Sequence, residues 1–204
     1  MTTIRNIVFD LGNVLLKYDP KGYLESLGYD KDTVSDLMKL IFHGIEWKLA
    51  DQGLLSNDQL IEIYQLKAPQ YFREINYVME NWYTHMTLLE ESKDFFLKVL
   101  DKGYNVYILS NYPEYKFLDM WERTKVLHKA HGSVISYQIK LTKPSKEIYH
   151  HLLEKYNLEP DETLFLDDLQ ENINGAKKAG IHGIRFKNVA QVKQELKAYG
   201  VEIE

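Results

Sequence analysis

Short apolar runs in this chain end on polar residues at recurring points. Ile7-Val8-Phe9 stops at Asp10, the run Tyr104 to Leu109 stops at Ser110-Asn111, and Thr163-Leu164-Phe165-Leu166 stops at Asp167-Asp168. A short, mostly apolar run bounded by turn formers predicts a strand buried on both faces. Two more runs of this kind, Ser133 to Tyr137 and Ile181 to Phe186, predict further strands. Between them the apolar spacing becomes helical, over Leu88 to Lys102, Pro113 to His128, Ser145 to Tyr156, Asn172 to Ala179 and Val189 to Tyr199. Gly103 and Gly180 stand where helices need a left-handed cap. Strands that alternate with helices of this length predict βαβ units and a parallel sheet.

One stretch breaks the alternation. From about Pro20 to Met86 there is no strand pattern, only amphipathic segments at Asp32 to Phe42, Asn57 to Leu66 and Tyr71 to Trp82, separated by turn signals at Gly28, Gly44, Gly53 and Pro69. The expected fold class is α/β: a Rossmann-like three-layer α/β/α core with a parallel sheet and an inserted all-helical cap. The expected division is 1–17 plus 87–204 for the core and 18–86 for the cap. An insert directly after the first strand lies over the C-terminal edge of the sheet, where open α/β sheets bind ligands. There it serves as a lid that excludes water and completes a site, or as a helical domain that only adds stability.

Composition narrows the partners. A chain of 204 residues buries one core with an insert. The net charge of -5, with no basic stripe, argues against nucleic acid. There is no cysteine, which removes disulfides, thiolate chemistry and Cys-based zinc. No run of about 18 apolar residues exists, so no membrane span is expected. The first apolar run is too short for a signal peptide and carries Asp10, so a cytoplasmic location is expected. Oligomeric state stays open between monomer and homodimer.

The polar ends of the strands carry the candidate chemistry. A carboxylate such as Asp10 can attack phosphorus and form an aspartyl-phosphate, although Asp at a strand end is often just a turn former. Ser110 and the N–H of Asn111 can hold phosphoryl oxygens, or cap a helix before Pro113. Lys143, next to Pro144 and a helix start, reads as a fixed charge for the site or as an exposed loop lysine. Adjacent buried acids such as Asp167-Asp168 repel unless a cation joins them, and few carboxylates with waters suit Mg²⁺. Asn172 is placed to cap the following helix and to hydrogen-bond one of those acids.

In this order the pieces resemble the haloacid dehalogenase superfamily of aspartate-nucleophile hydrolases, over essentially the whole chain. Asp10 with Gly12 resembles its first motif, Ser110 the second, Lys143-Pro144 the third, and Asp167-Asp168 with Asn172 and the Gly175-Ala176…Ala179-Gly180-Ile181 tail the fourth. Phe9-Asp10-Leu11-Gly12-Asn13-Val14 is similar to the branch that holds sugar-1-phosphate phosphatases and the phosphatase domain of epoxide hydrolases. Asp51-Gln52-Gly53-Leu54-Leu55-Ser56 resembles that branch's substrate-facing cap turn.

The resemblance implies a Mg²⁺-dependent phosphatase for a small phosphorylated metabolite, sugar phosphates included. It implies Asp10 as nucleophile and Mg²⁺ ligand, with the Gly12 carbonyl and Asp168 as further ligands. Asp167 would be either a direct ligand or a carboxylate behind the ligands. Ser110, the Asn111 N–H and Lys143 would hold the phosphate, and Tyr18, His43, Trp47 and Asp51 are candidates for setting the substrate. Two departures stand out. Gly12 replaces the acid that usually serves as proton donor two residues after the nucleophile. With the obvious proton donor gone, the rate is expected to fall steeply as leaving-group pKa rises; what replaces the missing acid stays open. Lys140 occupies a position where relatives often have Gly, and a solvated side chain is expected there. The rival readings are a non-catalytic or regulatory module of the same fold and, less favoured, a haloacid dehalogenase.

Overall fold

The structure is a computed structural model that describes residues 3–203. Five parallel strands form one sheet in the order β3-β2-β1-β4-β5: β1 Asn6–Phe9, β2 Asn105–Ser110, β3 Gly132–Ile135, β4 Thr163–Asp167 and β5 His182–Arg185. Phe9 of β1 is in register with Ile108 of β2 on one side and Leu166 of β4 on the other. The chain moves outward from β1 to β3 and then returns to the other side of β1. This is the topological switch at which α/β sheets open a crevice, and it sets the ends of β1, β2 and β4 side by side.

Period-2 alternation divides the sheet's side chains between two buried layers. Ile7, Phe9, Ile108 and Leu166 face one core, which includes Phe95, Phe96, Val192 and Leu196. Val8, Leu109 and Phe165 face the other, with Ile148, Tyr149, Ile173 and Ala176. Helices therefore cover both faces, and the strands are apolar on both sides, as their unbroken hydrophobic runs require.

The cap consists of α1 Pro20–Ser26, α2 Lys31–Leu37, α3 Ile45–Asp51, α4 Asn57–Lys67 and α5 Phe72–Asn81. A π-helical turn over Met38–Phe42 follows α2, so the periodic stretch to Phe42 is not one regular α-helix. Ser56 begins α4 with a full capping box, its hydroxyl accepting from Gln59 N while the Gln59 side chain accepts from Ser56 N. The chain enters and leaves the cap through paired segments: Lys17 N donates to Thr87 O at 2.8 Å and Leu89 N to Leu15 O at 3.0 Å.

The core helices are α6 Glu90–Asp101, α7 Phe117–Arg123, α8 Ser136–Ile139, α9 Lys146–Tyr156, α10 Gln170–Lys178 and α11 Val189–Leu196. Two expected elements change. The expected strand to Tyr137 stops at Ile135, where the chain turns into α8. The helix expected from Pro113 begins only at Phe117, because Lys116 takes a left-handed backbone (φ 58°), and it becomes 3-10 from Lys125.

The cap is fixed to the core by the turn after α3. The Ser136 hydroxyl donates to the Asp51 carbonyl, and Gln52 Nε2 donates to the Lys140 carbonyl at 2.9 Å. Gly53 has φ +70°, and a Cβ there would lie 2.6 Å from the Tyr137 carbonyl oxygen. Lys140 is left-handed as well (φ 58°), a conformation that glycine adopts without strain, and it is exposed, as the solvated side chain expected there requires. Gly53→Ala is expected to destabilise the protein by roughly 1–3 kcal/mol through backbone strain and the clash. A lower Tm together with faster proteolysis within the cap would check this; an unchanged Tm would refute the clamp.

Candidate active site

Asp10 sits one residue past β1, and its N–H donates to Leu166 O, so the sheet pairing continues to this residue. The following loop closes on itself: Leu15 and Leu16 N donate to Leu11 O, and Asn13 N to Leu16 O. These bonds bypass the Gly12 carbonyl. Asn13, left-handed at φ 53°, donates through Nδ2 to Asp168 at 3.3 Å and accepts from Tyr18 N at 3.1 Å. The loop after β1 is thereby tied to the end of β4.

Lys143 occupies the centre. Its Nζ lies 2.8 Å from Asp10 Oδ1 and 2.7 Å from Asp167 Oδ2, and it donates to Leu109 O at 3.2 Å. An ammonium has three donors, and all three are used. Exposure of 4% for Lys143, 7% for Asp10 and 0% for Asp167 takes these charges out of bulk water. Asn111 sets the lysine backbone: its side-chain amide accepts from Lys143 N at 2.9 Å and donates to Lys143 O at 3.0 Å. The Asn111 side chain is thus structural, and the helix-capping alternative for this segment is not realised. Ser110 is buried, and its hydroxyl donates to the Asn111 carbonyl at 3.3 Å.

Asp167 is held by more donors than Lys143 alone. Asn172 Nδ2 lies 2.9 Å from both of its oxygens, and Leu169 N donates to Oδ1 at 2.8 Å. Asn172 therefore bonds the acid as anticipated, but it does not cap α10; Leu169 holds the cap position. Asp168 is half-buried, with its backbone carbonyl accepting from Arg185 Nε at 3.0 Å.

Carboxylate oxygens of Asp10, Asp167 and Asp168 all lie within 4.8 Å of one another. Three carboxylates around one ammonium leave a local excess of negative charge. Burial pushes the Asp10 carboxyl up to about 7 against the pull of Lys143, and Asp167 and Asp168 push the same way. Asp168 is raised too, chiefly by burial. This donor set fits a small divalent cation, which would relieve the repulsion; all-oxygen ligands of this kind suit Mg²⁺. Asp10, Asp168 and the free Gly12 carbonyl are the groups placed to hold it, with Asp167 engaged by Lys143 and Asn172.

These groups form the floor of a cavity of about 490 Å³, with Ser110, Asn111 and Lys143 beside Asp10. The cap contributes Phe42, Trp47 and Asp51, and Tyr18, Trp82, Met86 and Tyr112 join the wall. Tyr18, Trp47 and Asp51 are thus brought to the site. His43 is not: it lies exposed on an outer groove of the cap with Lys21, Tyr29 and Met38. Sequence reasoning missed Phe42, Trp82, Met86 and Tyr112, because an apolar residue that lines a cavity has the same sequence signature as one in a core.

A family model described as haloacid dehalogenase-like hydrolase matches residues 23–186. The chain is 30% identical over 207 residues to a D-ribitol-5-phosphate phosphatase of Bacteroides thetaiotaomicron, covering 95% of this chain and 97% of that protein. It is 24% identical to a sesquiterpene phosphatase of Aspergillus oryzae, covering 96% of each. Among solved structures, a haloacid dehalogenase-family enzyme of Bacteroides thetaiotaomicron in complex with magnesium and inorganic phosphate superposes with a TM-score of 0.70. It is 21% identical and covers 93% of this chain and 98% of its own. An L-2-haloacid dehalogenase of Xanthobacter autotrophicus superposes with a TM-score of 0.68 at 15% identity, covering 96% and 83%. At these identities the structural likenesses establish the fold.

Two outcomes follow from the charge arrangement. Lys143→Met, unfolded by urea without added metal, is expected to lose roughly 3–5 kcal/mol, because it strands two buried carboxylates. The loss should be greater at pH 8, above the raised Asp10 value of about 7, than at pH 5.5, below it; an equal loss at the two pH values would contradict the arrangement. Because a proton on Asp10 competes with a cation, the rise in Tm on adding Mg²⁺ should grow between pH 5.5 and pH 8. Thermal scans with and without 5–10 mM Mg²⁺, about an order of magnitude above a weak site's Kd, would check it.

Proposed function

Since the chain belongs to the haloacid dehalogenase-like hydrolases, we propose that it is a Mg²⁺-dependent phosphatase that hydrolyses a small organic phosphate through an aspartyl-phosphate on Asp10. The observation that carries this reading is the shared Lys143 ammonium between Asp10 and Asp167, with Asp168 completing an acidic cluster. Displacement of a halide from carbon has no use for such a cluster, whereas a phosphate dianion beside Asp10 needs its charge offset. The cluster thus favours phosphoryl transfer over the dehalogenase and the non-catalytic alternatives.

The steps follow from this chain's own groups. Lys143 bonds Asp10 through Oδ1, and the Leu11 N–H also donates to Oδ1 at 2.7 Å. Both contacts hold one oxygen, which leaves Oδ2 to attack phosphorus. An Oδ2–P bond forms as the bond from phosphorus to the ester oxygen breaks. Ser110 Oγ and the Asn111 N–H are placed to bond the non-bridging oxygens, where charge shifts in the transition state. Lys143 acts on the phosphate by its charge while its three donors stay on protein oxygens. Water then attacks phosphorus, and the Oδ2–P bond breaks to release inorganic phosphate and restore the carboxylate. Mg²⁺, held by Asp10, the Gly12 carbonyl and Asp168, would supply the positive charge that brings the phosphate dianion to an anionic nucleophile.

A cavity of about 490 Å³ suits a metabolite rather than a macromolecule. Its aromatic wall of Trp47, Trp82 and Tyr112 fits the apolar face of a sugar or another compact carbon skeleton. Two phosphatases to which the chain is similar are named for D-ribitol 5-phosphate and for sesquiterpenes, so the expected substrates are small phosphate monoesters of this size range. Among the described residues no helix is long and apolar enough to cross a membrane.

A panel of phosphorylated metabolites with Mg²⁺ should release inorganic phosphate. EDTA should stop the release, and Asp10→Asn should lower it by at least about 10³-fold, the usual scale for loss of a nucleophile. Turnover that persists in Asp10→Asn would refute the mechanism.

A further inference from the structure

The described carboxyl groups that line the cavity are Asp10, Asp51, Asp168 and Glu171. Asp10 is the nucleophile, Asp168 belongs to the acidic cluster, and Glu171 is exposed in the first turn of α10. Asp167 is spent on Lys143, Asn172 and Leu169. Of these carboxyls, Asp51 alone is neither exposed nor assigned a task. We propose that Asp51, carried by the cap, protonates the leaving group and then serves as the base that activates water, filling the role for which Gly12 has no side chain. This rests on the phosphatase reading above.

The placement of Asp51 supports the role. Its main chain is locked: its carbonyl accepts from Ser136 Oγ, and the same hydroxyl oxygen accepts from Tyr112 N at 2.9 Å, two residues past Ser110. Gln52 and Gly53 fix the next two positions against Lys140 and Tyr137. The Asp51 carboxylate, in contrast, takes no hydrogen bond from the described residues, whereas those of Asp10, Asp167 and Asp168 are all engaged. A carboxyl that is rigidly carried yet unpartnered inside a substrate cavity is arranged to bond whatever enters it.

The groups around Asp51 set its proton affinity. Asp10 and Lys143 face it from the core. Tyr18, Tyr112 and Tyr64 are near enough to sense its charge, and Lys48 on its own helix lines the same cavity. Burial raises Asp51 to about 7, Asp10 pushes the same way, and Lys143 opposes them. It is therefore poised to give and take a proton near neutrality. The three phenols are pushed up from their ordinary values by burial and are poor donors there.

The proton balance closes over one turnover. As Asp10 Oδ2 bonds phosphorus, the electron pair of the breaking P–O bond stays on the ester oxygen. That oxygen takes the Asp51 proton and leaves as an alcohol. In the second half the Asp51 carboxylate takes a proton from the water that attacks phosphorus. The Asp10–phosphate bond breaks, and Asp51 is again a carboxylic acid.

Gly12 provides an internal control. A Cβ built there meets only Tyr18 Cβ, at 3.9 Å, which is ordinary contact. An acid can thus be returned to that position by substitution. The test compares wild type, Asp51→Asn, Asp51→Glu and the double variant Asp51→Asn/Gly12→Asp with Mg²⁺, across esters from p-nitrophenyl phosphate to alkyl phosphates. The value of kcat/KM reports the first half-reaction. Asp51→Asn should lower it for alkyl phosphates by about 10²–10⁴-fold and for the nitrophenyl ester far less, so its slope against leaving-group pKa steepens. Asp51→Glu should keep a shallow slope, and Gly12→Asp should restore part of the alkyl-ester activity. Thermal unfolding of each variant reports its fold, and the Glu variant carries the test if the Asn variant is unstable. An equal fall for every ester, or a change in KM alone, would make Asp51 a binding residue and overturn the proposal. Wild type without Mg²⁺-dependent activity on any ester would instead refute the phosphatase reading.

Discussion

The Lys143 ammonium, held between Asp10 and Asp167, is the contact around which the rest of the site is arranged. Removing three charges from water costs several kcal/mol for each ion, and only close, fully bonded geometry offsets it. That geometry draws on four separate pieces of chain. The ends of β1 and β4 bring the two carboxylates, the end of β2 supplies the Leu109 carbonyl, and Asn111 grips the lysine backbone. Asn172 and the Leu169 N–H restrain Asp167 from the other side. The central position of β1 in the sheet is what allows these pieces to meet.

One positive charge does not balance three carboxylates, and the imbalance has consequences in two directions. It adds to the burial that raises Asp10 and Asp168, and it makes the floor of the cavity attractive to a divalent cation. A site strained in this way would give up some folding stability for affinity toward a cation, a common arrangement where ligand binding and folding are linked. Under the proposed function, a phosphate at this floor would be met by the Ser110 hydroxyl and the Asn111 N–H, with its charge offset by the cation, and the carbon skeleton of a substrate would be left to the aromatic wall above.

The cap converts this open sheet edge into an enclosed cavity. It departs and returns through adjacent, hydrogen-bonded segments, so an insert of this size adds little constraint to the core beneath. Its second attachment, the turn after α3, acts differently. The Ser136 hydroxyl, the close approach at Gly53 and the Gln52 amide fix that turn in register with the loops after β2 and β3. A cap residue near the turn is consequently placed as firmly as a core residue, which is what a proton-transfer group requires.

Period and punctuation made much of this legible from the chain alone. Apolar runs on Ile7–Phe9, Tyr104–Leu109 and Thr163–Leu166 required strands buried on both faces, and the polar residues ending them had to emerge at one edge. Resemblance to a known family added roles for Asp10, Ser110, Lys143 and Asp168. Where local signals were weak, the chain misled: Ser133–Tyr137 is β-branched enough to read as strand, yet Ser136 and Tyr137 turn into α8, where they hold the cap. His43 and Asp51 both read as cap residues facing a substrate, and of the two only Asp51 lines the cavity above Asp10. The same limit hid Trp82 and Tyr112 among core residues. The sequence by itself determined which backbone segments are buried and which polar groups end them, because those are one-dimensional periodicities. Only the tertiary structure decided which of those groups share the Lys143 ammonium, which donors are already spent and which acid is left free, because these depend on contacts such as Asn13 to Asp168, 155 positions apart.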